Sequence, residues 1–351
     1  MTSRVNATQR DLAIRRGIAF IYHSACYPEN FQLYGHDYLC CFYCIAATSR
    51  DRDLRRTTRM LGQERARQWR KEHSSVSRNA NANDITNLIL GSDAADGLGV
   101  LDKVLKEQLR KTAGDFQAQE YFEFDPASEP PPTDVPEDCD CGVYNSRGRK
   151  TCRSCKSPLS MNSAYWVWLN ALTLSYTAER YGVRIGRTFR DVLQWLPAMR
   201  NYPEFDDGGT PDSYWATYAV THVVYALNDY SSYRLSPTWL PTEYEFLKRN
   251  LNRALSMEDP ETLGEFLDTL KSFGLPDNHP LILKGMRYLL SRQNADGSWG
   301  EVDAEDALLR YHPTWTAIDG LRDYAWREER LSLEKLRPLL ERFANERHGF
   351  K

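Results

Sequence analysis

The segment KGMRYLLSRQNADGSWG, Lys284 to Gly300, places Gln293, Gly297 and Trp299 directly after a run of apolar residues at helical spacing. Gly297 favours a tight turn, because glycine tolerates left-handed backbone angles that other residues avoid. We expect Trp299 to fold back on Gln293, whose amide would satisfy exposed backbone groups at a neighbouring helix end. The segment is therefore expected to link one helix to the next.

Helical periodicity extends over most of the 351 residues. Alternating strand patterns are nearly absent, so the sequence predicts an all-α fold. Hydrophobic residues make up 41% of the chain, which is enough for a packed core and excludes wholesale disorder. The segments with apolar residues every three or four positions are Asp11–His23, Leu54–Trp69, Tyr165–Tyr181, Tyr214–Asp229, Tyr244–Leu255 and Leu281–Arg292.

Two of these helices are alike in sequence. SAYWVWLNALTLSYTAERY, Ser163 to Tyr181, aligns with DSYWATYAVTHVVYALNDY, Asp212 to Tyr230, so that Trp166 falls on Trp215. A Trp-Leu-Pro helix follows each copy, which gives a repeat of roughly 45–50 residues, the size of a two-helix unit. Stacked αα-hairpins are therefore expected, because neither helix of such a hairpin buries its apolar stripe alone.

A resemblance to a known family rests on seven residues of the first segment, namely Lys284, Gly285, Tyr288, Leu289, Gln293, Gly297 and Trp299. Together they resemble the QW motif of squalene–hopene and oxidosqualene cyclases. The resemblance implies an α/α toroid, a ring of αα-hairpins also found in protein prenyltransferase β subunits. It covers about Asn162 to Tyr324 and includes one full copy of the motif. An open helical solenoid is the alternative fold.

Three parts are expected along the chain. Residues 1–124 would form the N-terminal helical part of the toroid, and residues 161–351 would supply the hairpins that complete it. Residues 125–160 lie between them and begin with a connector, DPASEPPPTDVP, Asp125 to Pro136. Its prolines are incompatible with a helix, so the connector is expected to be extended.

The segment CDCGVYNSRGRKTCRSC follows the connector and carries two close pairs of cysteines, Cys139 with Cys141 and Cys152 with Cys155. Two such pairs around a short hydrophilic loop match a tetrahedral thiolate site, so we predict a structural zinc knuckle. Four thiolates close the coordination sphere, and the metal would fold a segment that has little core of its own. Disulfides are one alternative for these cysteines, and a knuckle that grips nucleic acid or a protein partner is another possible role.

The segment RYHPTWTAIDGL begins at Arg310, and its Pro313 suits the first turn of a helix. Tyr311 and His312 resemble the Tyr-His that opens an inner helix in protein prenyltransferase β subunits, where the matching histidine is a zinc ligand. The cysteine ligand of that family is missing upstream. Only carboxylates are available there, so a carboxylate–histidine site for zinc or another divalent metal is expected. These carboxylates are Asp303, Glu305 and Asp306.

Other histidines extend the candidate site. His222 lies within an apolar helix, with Tyr218, Tyr225 and Asp229 at helical spacing. His36 shares a helical face with Cys40 and Cys44, which could present soft ligands to a metal. The alternatives are that His222 is a satisfied core residue and that the free cysteines pack as small hydrophobic groups.

We expect an enzyme whose active site is the aromatic cavity of the toroid, acting as a cyclase or transferase on a small, largely apolar substrate. The resemblance implies the isoprenoid class. The predicted catalytic residues are His222, His312, Tyr225, Tyr311 and Asp229, and the predicted substrate contacts are Trp315, Trp215 and Tyr218. The predicted ligands of a second divalent metal are His36, His222 and His312. The alternatives are a non-catalytic scaffold, and catalysis by tyrosine and carboxylate groups without a metal.

Several classes are excluded or given no support. Net charge is −3, which gives no general attraction for nucleic acid or membranes, and the Arg50–Arg70 run is expected to be a solvated helix face. The sequence contains no Walker loop, dinucleotide fingerprint or nucleophile elbow. The cyclase D-x-D-D acid is also missing, although Asp206 and Asp207 are adjacent. Without a signal-peptide pattern or an apolar run that could span a bilayer, a cytoplasmic protein is expected.

Overall fold

The computed structural model describes residues 5–203 and 210–345. It is 62% helical and no strand forms among these residues, which confirms the all-α prediction. Every described helix is too short or too polar to cross a lipid bilayer. In chain order the α-helices are α1 (Ala7–Cys26), α2 (Pro28–Thr48), α3 (Arg52–Glu72), α4 (Ala82–Leu98), α5 (Lys103–Thr112), α6 (Ala118–Phe122), α7 (Ala164–Tyr181), α8 (Phe189–Leu193), α9 (Leu196–Met199), α10 (Pro211–Asn228), α11 (Pro241–Ser256), α12 (Pro260–Ser272), α13 (Pro280–Ser291), α14 (Leu308–Leu321) and α15 (Arg337–Asn345).

The chain forms two compact units. Within the described residues, the first unit consists of residues 5–75, 90–105 and 224–345, and the second consists of residues 76–89, 106–203 and 210–223. Three of the four boundaries fall within α4, within α10 and in the first turn of α5, and the fourth lies between α3 and α4. Each unit therefore combines separate stretches of chain, whereas the division into 1–124, 125–160 and 161–351 expected from the sequence is linear.

Local sequence explains where many helices begin. The side chains of Asn6, Asp51 and Ser163 accept hydrogen bonds from the first backbone N–H groups of α1, α3 and α7. Helices α11, α12 and α13 each open on a proline, whose missing N–H would have no helical partner at that position. The capping residue or the first-turn proline therefore determines where each of these helices begins.

In the first unit, the turn after α13 links three helices. The indole N–H of buried Trp299 donates to the Leu289 carbonyl at the end of α13 (2.8 Å), and its backbone N–H donates to Thr314 Oγ1 of α14 (2.9 Å). The Gln293 amide donates to the Ala13 carbonyl in the middle of α1 (2.8 Å). The expected link is present, but Trp299 rather than Gln293 satisfies the helix end.

Helices α12 and α14 pack backbone to backbone. A Cβ added to Gly264 would lie 2.3 Å from the carbonyl oxygen of Thr316, and one added to Gly320 would lie 3.1 Å from the Gly264 Cα. Only glycine permits this approach. Every residue from Thr262 to Ser272 is buried, so only the first turn of α12 reaches solvent.

The start of α14 differs from the expectation. The helix begins at Leu308, where Asp306 Oδ1 accepts the backbone N–H at 2.9 Å, so Pro313 lies inside the helix and not in its first turn. Proline cannot donate to the Leu309 carbonyl four residues earlier. Gly300 lies against that carbonyl, because a Cβ at Gly300 would come within 2.4 Å of it.

The second unit contains the two similar helices. The rings of Trp166 in α7 and Trp215 in α10, which the repeat alignment superimposes, contact each other edge to face with centroids 6.4 Å apart. The connector Asp125–Pro136 forms no helix. The first residue of the connector, Asp125, accepts two hydrogen bonds from the Arg187 guanidinium (2.5 and 2.6 Å).

Gly264→Ala is expected to destabilise the protein by about 3 kcal/mol, because the new methyl group would overlap the α14 backbone. The measurement is the free energy of unfolding in urea. Gly114→Ala is the matched control, since nothing lies within 4 Å of its added Cβ, and it should change the free energy by less than about 1 kcal/mol. Equal effects of the two substitutions would contradict the close packing of α12 on α14.

Candidate functional site

The four predicted zinc ligands come together in the second unit. The Sγ atoms of Cys139 and Cys141 are 3.4 Å apart, and Cys139–Cys155 and Cys141–Cys152 are both 3.5 Å apart. All four sulfur atoms lie within 4.8 Å of one another and none is in a disulfide. Within the described residues this is the one group of three or more Cys, His, Asp or Glu side chains that could hold a metal.

The backbone closes the Cys-rich segment at its base. Glu137 N donates to the Ser160 carbonyl (2.9 Å), and Asn162 N donates to the Val135 carbonyl (2.8 Å). Antiparallel pairing of Pro136 with Met161 lies between these bonds. The segment therefore leaves the helices and returns at nearly the same place, which brings both cysteine pairs into one loop.

The turn at the second cysteine pair prepares its sulfur atoms for a cation. The Ser154 N–H donates to Cys152 Sγ (3.4 Å), which lowers the pKa of the Cys152 thiol to about 5. The Ser157 hydroxyl bonds Cys155 Sγ (3.3 Å) and lowers the pKa of that thiol as well. Lys156 adopts a left-handed φ of +66° that closes the turn. Thiolates are the form that binds metal.

The geometry fits zinc. Tetrahedral zinc with Zn–S bonds of about 2.3 Å requires sulfur atoms about 3.8 Å apart, close to the separations found here. A disulfide requires about 2.05 Å. The four cysteines are therefore brought together as predicted and form a group able to hold a metal such as zinc.

A second candidate site lies in the first unit, on α14. His312 Nδ1 faces Glu261 Oε1 of α12 at 3.0 Å, and the two side chains remain 22% and 20% exposed. Burial opposes charge on the imidazole, but the Glu261 carboxylate outweighs burial and raises the pKa of His312 to about 10. His312 is therefore a protonated imidazolium near neutral pH that water can still reach.

Aromatic groups and a second carboxylate adjoin His312. The Tyr311 hydroxyl donates to Asp37 Oδ2 of α2 (2.8 Å), and its ring contacts the rings of Tyr34 and Tyr38, with centroids 5.6 and 4.2 Å away. Burial, followed by the charge of Asp37, holds the pKa of Tyr311 well above its usual value. The half-buried Trp315 meets His312 edge to face at 5.7 Å. The predicted residues Tyr311, His312 and Trp315 are thus brought into one cluster.

A group of buried charges lies near this cluster in the same unit. Asp268 of α12 accepts the Ser231 hydroxyl at 2.8 Å, and burial together with the charge of Asp319 raises the pKa of Asp268 to about 7. Arg322 binds Asp319 through Nε at 2.6 Å and lies 3.9 Å above the Tyr324 ring. These side chains are almost fully buried, so they support the site and do not face solvent.

The three histidines expected to share a metal have different surroundings. His36 lies near His73, and burial lowers the pKa of His36. His222, in the second unit, has Nδ1 2.8 Å from the Tyr218 carbonyl of its own helix. His312 pairs with Glu261, and not with the expected Asp303, Glu305 or Asp306. Asp306 instead accepts bonds from Tyr34 and from the start of α14. The described residues therefore contain no shared site for these histidines.

The remaining predicted residues divide between the two units. Trp215 and Tyr218 belong to an aromatic cluster of the second unit, with ring centroids 5.9 Å apart. Tyr225 is buried in the first unit, stacked at 6.0 Å on Tyr230. Helix α10 ends at Asn228 and Asp229 has a φ of +54°, so Asp229 does not continue the helical face of Tyr225 as expected. Asp206 and Asp207 lie outside the described residues.

Sequence reasoning missed Glu261, Asp37 and the Asp268 group. The available signal was the charge pattern of TLGEFLDTLKS, in which Glu265, Asp268 and Lys271 recur every three residues within an apolar helix. Charged residues at that spacing share one helix face. Because α12 is buried, its charged side chains must pair inside the protein. Their partners come from segments that are distant in the sequence.

Comparisons with protein-family models, curated proteins and solved structures find no match to this chain. The assignment of function therefore rests on the residues and their geometry. The cysteine group supports metal binding, and the His312 cluster supports acid–base chemistry.

Zinc content tests the cysteine group. The native protein should hold about one zinc ion per chain, and Cys139→Ser/Cys152→Ser should hold none, because two ligands cannot close a tetrahedral site. Metal content by mass spectrometry is the measurement, with Cys26→Ser, an exposed cysteine outside the group, as the control. A native protein free of zinc after purification without chelators would contradict the prediction.

The pH dependence of stability tests the His312–Glu261 pair. Because the folded-state pKa of His312 is raised from 6.5 to about 10, its stabilisation is complete below pH 6.5 and is lost as pH rises towards 10. Glu261→Gln should remove this loss across that range, measured by urea unfolding at a series of pH values. The control is Glu301→Gln, at an exposed glutamate, which should keep the wild-type slope. A wild-type slope in Glu261→Gln would rule out the pair.

Proposed function

We propose that this chain is an α/α-toroid enzyme with a structural zinc knuckle, acting through acid–base groups at His312 on an apolar substrate of the isoprenoid class. One observation carries the proposal: a charged histidine paired with Glu261 remains about one-fifth exposed beside Tyr311 and Trp315. Ionisable groups with shifted pKa values concentrate at functional sites. The QW-like turn, which links α1, α13 and α14, supports the toroid.

The zinc knuckle has a structural role in this proposal. Four cysteine ligands leave no open position on zinc for a substrate or a water molecule. The segment between Glu137 and Ser160 contains few buried apolar side chains, so metal binding supplies much of its folding energy.

In the proposed reaction the His312 imidazolium donates a proton to the departing oxygen of an isoprenoid alcohol or diphosphate as the C–O bond breaks, which leaves a carbocation on the substrate. The His312 pKa of about 10 keeps the imidazolium charged at neutral pH, and Glu261 orients it through Nδ1, which leaves Nε2 as the second donor. The Trp315 ring lies 5.7 Å from the imidazole and can stabilise a cation that forms on the substrate. Asp37 fixes Tyr311. The site needs no metal ligand at His312, so a second divalent metal is not part of the proposal.

The test is conversion of linear polyprenyl hydrocarbons, alcohols and diphosphates, followed by mass spectrometry of the products. Wild type should convert a member of this set, and His312→Gln should lose at least about 100-fold in rate, the contribution of a general acid. His279→Gln, which changes a histidine at the start of α13, is the matched control and should remain active. No conversion by wild type would reject the substrate class, and full activity of His312→Gln would reject the site.

A second candidate function is a scaffold that binds a partner through the zinc knuckle. The observation in its favour is that Arg149, Lys150 and Arg153 are exposed and their side chains make no ion pair within the described part of the chain. By contrast, Arg147 is neutralised by Glu129 and Asp134. Three unpaired cations on one short hairpin suit an acidic protein or nucleic acid.

A further inference from the structure

A cleft of about 210 Å³ in the first unit lies outside both sites described above. Four arginines line it, together with three aspartates and two aliphatic side chains. The arginines are Arg10 and Arg15 of α1, Arg50 before α3, and Arg322 after α14. Guanidinium groups bind phosphate and carboxylate well, so the arginines that are not already paired with a carboxylate decide what the cleft can bind.

The arginines differ in how far they are already neutralised. Arg10 binds Asp277 and Asp323, and Arg322 binds Asp319. Arg15 lies 3.8 Å from Asp51, at the outer limit of an ion pair. The Arg50 side chain is exposed and forms no ion pair or hydrogen bond with any described residue. Arg50, supported by Arg15, is therefore the cation that an anion in the cleft would meet.

Two of the three aspartates that line the cleft are already engaged. Both Asp323 oxygens accept bonds from Arg10 (3.1 and 2.9 Å). Asp51 Oδ1 caps α3 by accepting the N–H groups of Asp53 and Leu54 (2.7 and 2.9 Å). Asp11 makes no such contact and opposes an anion. Because the Asp11 carboxylate repels an anion, a neutral residue at this position should strengthen anion binding.

Further positive charge lies on α3, whose Leu54 lines the cleft. Arg52, Arg55 and Arg59 share another face of that helix, at spacings of three and four residues, and this face is turned away from Leu54. None of the three pairs with a described carboxylate, unlike Arg56, which binds Asp53 (3.1 Å). The N-terminal end of α3 adds its partial positive charge. This concentration of cations contrasts with the chain's net charge of −3.

We infer that this cleft binds a small phosphate-bearing anion with at least two negative charges, of the size of a diphosphate. Arg50 and Arg15 bind its oxygens, and the arginine face of α3 attracts it from solution. The cleft volume of about 210 Å³ suits a small ligand. The inference does not depend on the acid–base function proposed for His312, because neither His312 nor Glu261, Tyr311 or Trp315 lines the cleft. Arg322, which belongs to the buried charges near His312, lines the cleft but is already neutralised by Asp319.

Isothermal titration of the full-length protein with inorganic pyrophosphate tests the inference. Wild type should bind with a dissociation constant below about 1 mM, the range of a weak but specific site. Arg50→Ala should weaken binding about tenfold, since it removes one charge-assisted contact, and Asp11→Asn should strengthen it severalfold. The matched control is Arg249→Ala, which removes an exposed arginine of α11 that does not line the cleft.

Each alternative result is decisive. Absence of pyrophosphate binding to wild type, or equal loss in Arg50→Ala and Arg249→Ala, would overturn the inference. Binding of citrate as tight as that of pyrophosphate would also overturn it, by showing that negative charge and not phosphate is recognised. Arg50 and Asp11 are exposed, so these variants should fold, and circular dichroism before each titration confirms it.

Discussion

The first unit depends on pairing every charge inside two helices that have almost no solvent face. An unpaired ion taken out of water costs several kcal/mol, so α12 and α14 can be central only if their charges meet partners. Lys271 donates to the carbonyls of Gly320 and Arg322, Asp319 binds Arg322, and Asp268 accepts from Ser231. The His312–Glu261 pair joins the same two helices nearer the surface.

This pairing in turn requires the helices to be close. Gly264 and Gly320 remove the side chains that would otherwise separate α12 from α14, and the turn at Trp299 fixes α14 against α1 and α13. Three consecutive left-handed residues, Asp229 to Ser231, then bring the Ser231 hydroxyl to Asp268. The packing of α12 on α14 therefore positions the charged side chains. These charges in turn set the protonation state of neighbouring groups such as His312.

Much of the local structure could be predicted from sequence, because it is set by nearby residues. Apolar periodicity identified α1, α3, α7, α10, α11 and α13. The spacing of Cys139, Cys141, Cys152 and Cys155 predicted their meeting. Tyr311, His312 and Trp315 could be grouped because one helix carries them. Each of these predictions needs only the geometry of a short segment.

What could not be predicted are the contacts between distant segments. Glu261 of α12 pairs with His312, and Asp37 of α2 accepts from Tyr311. The sequence around Glu261 and around Asp37 does not mark either residue as such a partner. Helix α12 has no polar stripe for periodicity to detect, since it is buried all round. His36, His222 and His312 were grouped by residue type alone, and the fold gives each a different neighbour.

The most direct test of this account is a titration of the histidine side chains by nuclear magnetic resonance, with His312→Gln used to assign the signal. The account predicts that one of the seven histidines remains an imidazolium above pH 9, and that this signal returns towards the ordinary histidine range in Glu261→Gln. The account would be contradicted if the His312 signal titrated near pH 6.5 or below, because the ion pair between His312 of α14 and Glu261 of α12 would then not exist.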